Sequence, residues 1–421
     1  MKEKIVMHAD IDHCYAQIEE MKFPALRDVP MAVGGHEEKR HGIILAKNDL
    51  AKKAGVKTGE SLREAYDKCP QLLIIPPSYD DYTYYTSLVK DIYREYSDRV
   101  ESFGLDEAWI DLTDSGRLIG DEMSAAEKIQ QRVLREIGLT VSIGVSYNKV
   151  FAKFGSDLRK PFGITHITRQ NYRQLVWPRP VQDLLYVGPA TNRKLHSRGI
   201  LTVGELACYP VSYLKEAMGA AGVMIHAFAN GEDPSEVAGS AEAPPVKSVG
   251  NAMTLIHDVV SAEEIRPVCF VLAESVASRL RDHGMEASLV SVSVRRSDMT
   301  WNGCQQQLGF KTDVSEELLE AAMRLLERCC DFSVPIRAVG ITAGSLSPAR
   351  HGRQLDLFVD EETHDRRRCV DIVMDRIRGK YGFYAVRRAC MMVDEPLTSF
   401  NPKGDHTIHP IGYFQGRKMV V

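Results

Sequence analysis

No stretch of this chain approaches the roughly 20 consecutive apolar residues that a membrane helix needs. The start, Met1-Lys2-Glu3-Lys4, runs into a short strand pattern with no apolar signal segment. A cytoplasmic location and no membrane partner are expected. Cys-x-x-Cys pairs are also missing. The nine cysteines are an odd, scattered set apart from adjacent Cys329 and Cys330, which suits reduced thiols better than a disulfide framework or a zinc site. Nor is there an excess of positive charge: the formal net charge is -4. Nucleic-acid binding must then rest on local clusters such as Lys149 to Lys160, Arg193 to Arg198 and Arg295-Arg296. Internal repeats and long low-complexity runs are lacking too. With 421 residues, 44% hydrophobic and 26% charged, the chain has material for about two to four domains.

What the chain does have is two acidic patches about a hundred residues apart. Asp10-Ile11-Asp12 ends an apolar run, and Asp106-Glu107 lies inside Phe103-Gly104-Leu105-Asp106-Glu107-Ala108-Trp109-Ile110-Asp111. Carboxylates leaving neighbouring strand ends can converge on Mg²⁺, which is usually held by a few carboxylates plus substrate phosphates. The pattern therefore reads first as a nucleotidyl transferase.

The periodicity predicts a strand over Ile5 to Ala9 and a helix from Asp12 to Glu20, with Asp12 as a cap. Strands at Met31 to Val33 and Gly42 to Leu45 precede a helix from Asn48 to Ala54, closed by Gly55. An amphipathic helix over Tyr82 to Tyr96, strands at Phe103 to Leu105 and Ala108 to Leu112, a helix over Ala125 to Ile137 and a strand over Thr140 to Val145 follow. Strand, helix, strand, strand, helix, strand is the ferredoxin-like order, which would gather Asp10, Asp106 and Glu107 on one sheet edge. Leu184 to Ala190, with a second helical start near Thr202, has the form of a helix-hairpin-helix. Its Gly188 turn would offer backbone N–H groups to a DNA phosphate. Ala238 to Pro245 has linker composition. Beyond it lie an alternating strand at Ser288 to Val294, a helix at Glu316 to Cys330 and a strand at Ile336 to Thr342.

In this order the residues resemble the Y-family translesion DNA polymerases, DinB-like and more broadly UmuC-like, over about residues 4 to 358. The motifs are Asp10-Ile11-Asp12-His13-Cys14-Tyr15-Ala16, then Ala51-Lys52-Lys53-Ala54-Gly55-Val56-Lys57-Thr58-Gly59, then Leu105-Asp106-Glu107-Ala108. After these come Gly144-Val145-Ser146-Tyr147-Asn148-Lys149-Val150-Phe151-Ala152-Lys153 and Asp157-Leu158-Arg159-Lys160-Pro161-Phe162-Gly163. The resemblance implies an α+β protein: a ferredoxin-like palm (1–13 and 80–168), small fingers (14–79) and a helix-hairpin-helix thumb (169–237). A linker (238–246), an α+β little finger (247–347) and a segment with a clamp-binding peptide and tail (348–421) would follow.

It also implies the chemistry. Asp10, Asp106 and Glu107, with the backbone carbonyl of Ile11, would hold two Mg²⁺ ions that lower the pKa of a primer 3′-OH and stabilise the leaving pyrophosphate. Tyr15 would be the steric gate against a 2′-OH. Lys52 and Lys160 would meet the dNTP phosphates, and Val187, Gly188 and Ala190 the DNA backbone. Gln354, Leu355, Leu357 and Phe358 resemble a peptide for the bacterial sliding clamp, which would tether a monomeric polymerase to primer-template DNA. Asp12 and Asp111 are expected in structural roles.

The fingers depart from the family pattern. Asp49 and Lys52 stand where a tyrosine and, three residues on, an arginine are usual, and an ionised carboxylate accepts hydrogen bonds only and repels phosphate. Compensation by Lys47 is set against the plainer reading of an exposed surface lysine at a strand-helix turn. Gly104 replaces a small hydroxyl residue before the acidic pair. Past Phe358, Arg366-Arg367-Arg368 and the pattern Val370, Val373, Ile377 suggest an extra helix, and Thr407 to Ile411 an ordered end. The rival readings are a clamp-associated DNA-binding protein with impaired polymerisation and a nuclease using the same acids.

Overall fold

The computed structural model describes residues 4–35, 42–115, 120–239, 246–349 and 361–404. These fall into two compact units, residues 4–34 with 43–239 and residues 246–349 with 361–404. The clamp-like peptide Gln354 to Phe358, most of the 238–246 linker and Thr407 to Ile411 lie outside the described residues.

The strands of the first unit are β1 (Val6–Ile11), β2 (Met31–Gly34), β3 (Ile44–Lys47), β4 (Leu73–Ile75), β5 (Val100–Phe103), β6 (Glu107–Asp111), β7 (Val141–Ser146) and β8 (Ile164–Ile167). Five of them form one sheet in the order β5-β6-β1-β7-β8. β1 runs antiparallel to both β6 and β7, and β8 adds parallel to β7. Its first four strands have the order expected of the ferredoxin-like pattern.

β1 is buried along its whole length, and its period of two assigns a task to each face. Met7, Ala9 and Ile11 pack with Tyr82, Val89, Ile92, Ala125, Ile129 and Val133 on the helices Tyr79–Arg94 and Glu122–Ile137. Val6, His8 and Asp10 face the helix Lys149–Leu158, where Val6 meets Ala152, His8 meets Ser156 and Asp10 meets Lys153. That helix lies so close on the sheet that a Cβ on Gly144 of β7 would stand 1.9 Å from the Ala152 carbonyl oxygen.

β3-β2-β4 form a small separate sheet. Asn48 ties it together: its buried side chain accepts from Met31 N at 3.1 Å and Ala51 N at 3.0 Å, and donates to the carbonyls of Leu26 at 3.2 Å and Val29 at 2.9 Å. Asn48 thereby caps the helix Asp49–Lys53. A further cluster gathers the short helices Pro189–His196, Val203–Cys208, Val211–Met218 and Ala220–Ala229 around Leu195, Leu206, Leu214 and Phe228. Thr202 and Glu205 make a capping box there.

In the second unit β9 (Ser248–Val259), β10 (Met285–Arg296), β11 (Trp301–Thr312) and β12 (Ile336–Pro348) form a sheet in the order β11-β10-β12-β9. The helices Ala262–Asp282 and Ser315–Cys329 share its core. The expected alternation in β10 is present as buried Val290, Val292 and Val294.

The tail helix exists as Glu361–Tyr381, but it packs on a different face from the one the apolar pattern suggests. Val370 and Val373 are exposed, while His364, Asp371 and Met374 are buried. The basic run is mostly paired within this unit. Arg367 bonds Glu316 at 2.7 Å and Glu320 at 3.0 Å, and Arg368 grips Asp313 with contacts of 2.8 to 3.0 Å. Met391, Leu397 and Phe400 then join the core of the sheet domain. The nine cysteines are all free thiols. Among the described residues, no helix is long and apolar enough to cross a membrane.

Candidate active site

The two acidic patches meet at the ends of two interior strands of the five-stranded sheet, rather than at its outer edge. Asp10 and Glu107 are register partners across β1 and β6. Ile11 N donates to the Asp106 carbonyl at 3.1 Å, which ties the Ile11 backbone to the turn that carries Asp106. That turn begins at Gly104, whose φ of 79° favours glycine, and Lys90 Nζ donates to the Gly104 carbonyl at 3.0 Å. Lys90 is held down at about 8 by burial, with Asp106 working against that shift.

Two ammonium groups cover the carboxylates. Lys153 Nζ lies 3.0 Å from Asp10, 2.8 Å from Glu107 and 3.3 Å from Asp157. Lys160 Nζ lies 2.7 Å from Asp10 and 2.8 Å from Asp157. Fully buried His8 bonds Ser156 Oγ through Nδ1 at 2.9 Å, and its Nε2 stands 3.2 Å from Glu107 Oε2, off the line of a good hydrogen bond. Burial pushes Asp10 up against the pull of Lys153. Burial also opposes ionisation of Glu107, but His8 and Lys153 outweigh it and hold this carboxyl below its usual range. Asp106 is pushed up to about 6, by burial first and then by Asp10 and Glu107.

Among the described residues, no three acidic, histidine or cysteine side chains stand close enough to enclose an ion as they are. The donor chemistry nevertheless fits Mg²⁺: three hard oxygen donors of one sign share a partly buried corner, and Asp106 carries the electrostatic cost that a cation would relieve. Asp12 is not a helix cap, since the helix Cys14–Lys22 is capped by His13 without a side-chain bond. Buried Asp12 instead accepts from Ser142 Oγ at 2.7 Å, Phe162 N at 2.9 Å and Thr140 Oγ1 at 3.0 Å. Asp111 accepts from Thr113 N at 2.9 Å.

A cavity of about 350 Å³ opens beside the acids, lined by residues that include Tyr15, Lys47, Asp49, Lys52, Asp106 and Lys160. Tyr15 forms one wall. Its ring stacks on Tyr82 at 4.4 Å and 8° and meets the edge of Tyr79 at 6.3 Å. Tyr82 is itself fixed by donating its hydroxyl to Glu19 at 2.7 Å. Val187, Gly188 and Ala190 sit where the helix Pro189–His196 begins. Val187 is buried, Gly188 and Ala190 are exposed, and no side chain caps this helix.

His8 and Lys90 had no role in the sequence reading, and Lys153 and Tyr82 entered it only within a basic cluster and motif and as the start of an amphipathic helix. For Lys153 and His8 a faint signal existed: Lys153 lies four residues before Asp157, one helical turn, and His8 shares the Asp10 face of β1.

The impB/mucB/samB family model matches residues 9–157, and the model of that family's C-terminal domain matches residues 246–357. The chain is 39% identical to DNA polymerase IV of Acetivibrio thermocellus, over 94% of this chain and 99% of that protein. It is 35% identical to DNA polymerase IV 2 of Bacillus subtilis, over 93% and 95% respectively. A solved Y-family DNA polymerase chimera shares the fold, with a TM-score of 0.72 at 21% identity over 82% of this chain and 99% of that one. The chain belongs to the impB/mucB/samB family, the DinB-like Y-family translesion DNA polymerases.

Proposed function

We propose that the chain extends a primer 3′ end on a DNA template with dNTPs, by two-metal nucleotidyl transfer and without proofreading. The observation that carries this reading is the meeting of Asp10, Asp106 and Glu107 beside a cavity walled by Tyr15. Asp10, Asp106, Glu107 and the Ile11 carbonyl would hold two Mg²⁺ ions, which when bound acidify the primer 3′-OH and neutralise charge on the phosphates. Lys153 and Lys160 would then turn from the carboxylates toward phosphate oxygens. Lys160 and Lys52 would bind the nucleotide, and the Tyr15 ring would exclude a 2′-OH.

The helix start at Val187, Gly188 and Ala190 suits a DNA phosphate, a contact that positions a duplex without reading its sequence. We assign the palm to 1–13 and 80–168, the fingers to 14–79, the thumb to 169–237 and the little finger to 247–347. The sliding clamp would be engaged through Gln354, Leu355, Leu357 and Phe358 by a cytoplasmic monomer, a reading that rests on sequence.

The second reading, a clamp-associated DNA-binding protein with impaired polymerisation, draws on Asp49, an exposed carboxylate lining the same cavity. Primer extension with Mg²⁺ and four dNTPs decides between them. Extension by the wild type and none by Asp106→Ala is expected. DNA binding without extension by either would favour the second reading.

A further inference from the structure

Lys47 ends β3, and its half-buried side chain crosses to Thr58, where Nζ donates to Oγ1 at 3.0 Å. It lines the same cavity as Tyr15, Lys52 and Lys160. The three lysines differ in what they already hold. Lys160 is committed to Asp10 and Asp157, whereas Lys47 and Lys52 have no carboxylate partner among the described residues. Glu60, the acid whose charge reaches Lys47, is bonded to Lys68.

Two neighbouring cations with no ion-paired carboxylate among the described residues leave this wall of the cavity electrostatically incomplete. Burial first, and then the charge of Lys52, pushes the Lys47 ammonium downward, a stress that an anion between them would remove. Among the described residues no arginine lines the cavity, and Asp49 adds a charge that repels phosphate. One ammonium is a point charge that cannot reproduce the two-pronged grip of a guanidinium, but two ammonium groups can. The Thr58 bond uses one of the three Lys47 donors and leaves two for a ligand.

Building on the polymerase reading, we propose that Lys47, steadied by Thr58, acts with Lys52 as a paired-ammonium grip on the triphosphate of the incoming nucleotide. Lys47 is thus a substrate-binding residue of this chain outside the family's usual pair of fingers positions. Its companion Asp49 faces solvent at the first turn of the following helix.

The test is steady-state single-nucleotide insertion by the full chain, with inorganic tripolyphosphate as a competitive probe. Lys47→Met should raise KM for dNTP about tenfold, one decade of affinity, while kcat stays within about threefold. The inhibition constant for tripolyphosphate should rise in parallel. Lys47→Arg should recover most of the lost affinity, and Thr58→Val should lose about two- to threefold because it frees Lys47 without removing its charge. Unchanged KM and tripolyphosphate inhibition in Lys47→Met would overturn the proposal, as would a Lys47→Arg variant no better than Lys47→Met. Should the wild type fail to insert nucleotide at all, the polymerase reading falls by itself. Calorimetric titration of tripolyphosphate into wild type and Lys47→Met would then judge Lys47 separately, equal affinities refuting its anion-binding role.

Discussion

Asp10 and Glu107 stand opposite each other on adjacent antiparallel strands, and one ammonium, Lys153, bonds both, at 3.0 and 2.8 Å. Like charges directly opposed across a sheet repel. The pair is tolerable only with a cation between its members, and without metal Lys153 is that cation. Lys153→Met should therefore destabilise the metal-free protein by about 1–3 kcal/mol, the cost of partly buried carboxylates losing a charged partner. Mg²⁺ should restore much of the loss. Thermal unfolding of wild type and variant, with EDTA and with Mg²⁺, checks this; an equal deficit in both buffers would make Lys153 a packing residue only.

Asp106 gives a pH signature of the same crowding. Its folded pKa of about 6 lies above the ordinary value of 3.8. Between those pH values the folded chain keeps a proton that the unfolded chain has released. The contribution of this group is thus fully present below about pH 4 and is lost as pH rises through about 6. Asp106→Asn, which cannot ionise, should match the wild type near pH 4 and exceed its stability above pH 6 by about 2–3 kcal/mol in the absence of metal. Urea unfolding midpoints at both pH values measure the difference, and a gap independent of pH would refute the assignment.

The proposed steric gate is held from behind as well as placed in front. Tyr15 lies flat on Tyr82, and Tyr82 is anchored through Glu19. Tyr15→Ala should relax discrimination against ribonucleotides by about tenfold or more, that is about 1.4 kcal/mol or more. Tyr82→Leu should produce a smaller change in the same direction by letting the Tyr15 ring tilt. Insertion of dCTP against CTP opposite template dG reads both variants. Unchanged discrimination in Tyr15→Ala would leave the ring as a core aromatic.

Much of this arrangement was legible in the sequence, and the parts that were not share a cause. Period-two alternation located β10, and apolar spacing located the helix Tyr79–Arg94, because each buries one apolar face. The helix Ala262–Asp282 escaped because it is buried nearly all round and carries Pro267 near its start, so no polar stripe marks it. In the tail helix, Val370 and Val373 drew attention to the wrong side, since its inward face is ionic. At the site, the acids announced themselves by their order along the chain. Lys153, His8 and Lys90 acquire their partners only through folding, and the contact between Lys153 and Asp10 spans 143 positions.

Gly144 shows how narrow the margin beneath the site is. Its Cα lets the helix bearing Lys153 lie directly on β7, and Gly155 of that helix approaches it in turn. Gly144→Ala would drive a methyl into the Ala152 carbonyl, so the helix must lift. A loss of about 3 kcal/mol or more is expected, together with a weakened Lys153 contact to the carboxylates. Unfolding midpoints test this, and a variant as stable as the wild type would mean the helix can shift freely.

Within the second unit, charge ties the tail helix to the residues that precede the helix Ser315–Cys329. Asp313 is almost fully buried, and Arg368, from the tail helix, reaches it with a two-pronged grip. A buried carboxylate that loses its cation is costly, whereas removing both partners together can be nearly neutral. Arg368→Met alone should then cost about 3 kcal/mol or more, while Arg368→Met with Asp313→Leu should recover most of that. If the double variant is as unstable as the sum of the two single ones, the pair is not coupled, and the tail is held instead by Met391, Leu397 and Phe400 in the shared apolar core.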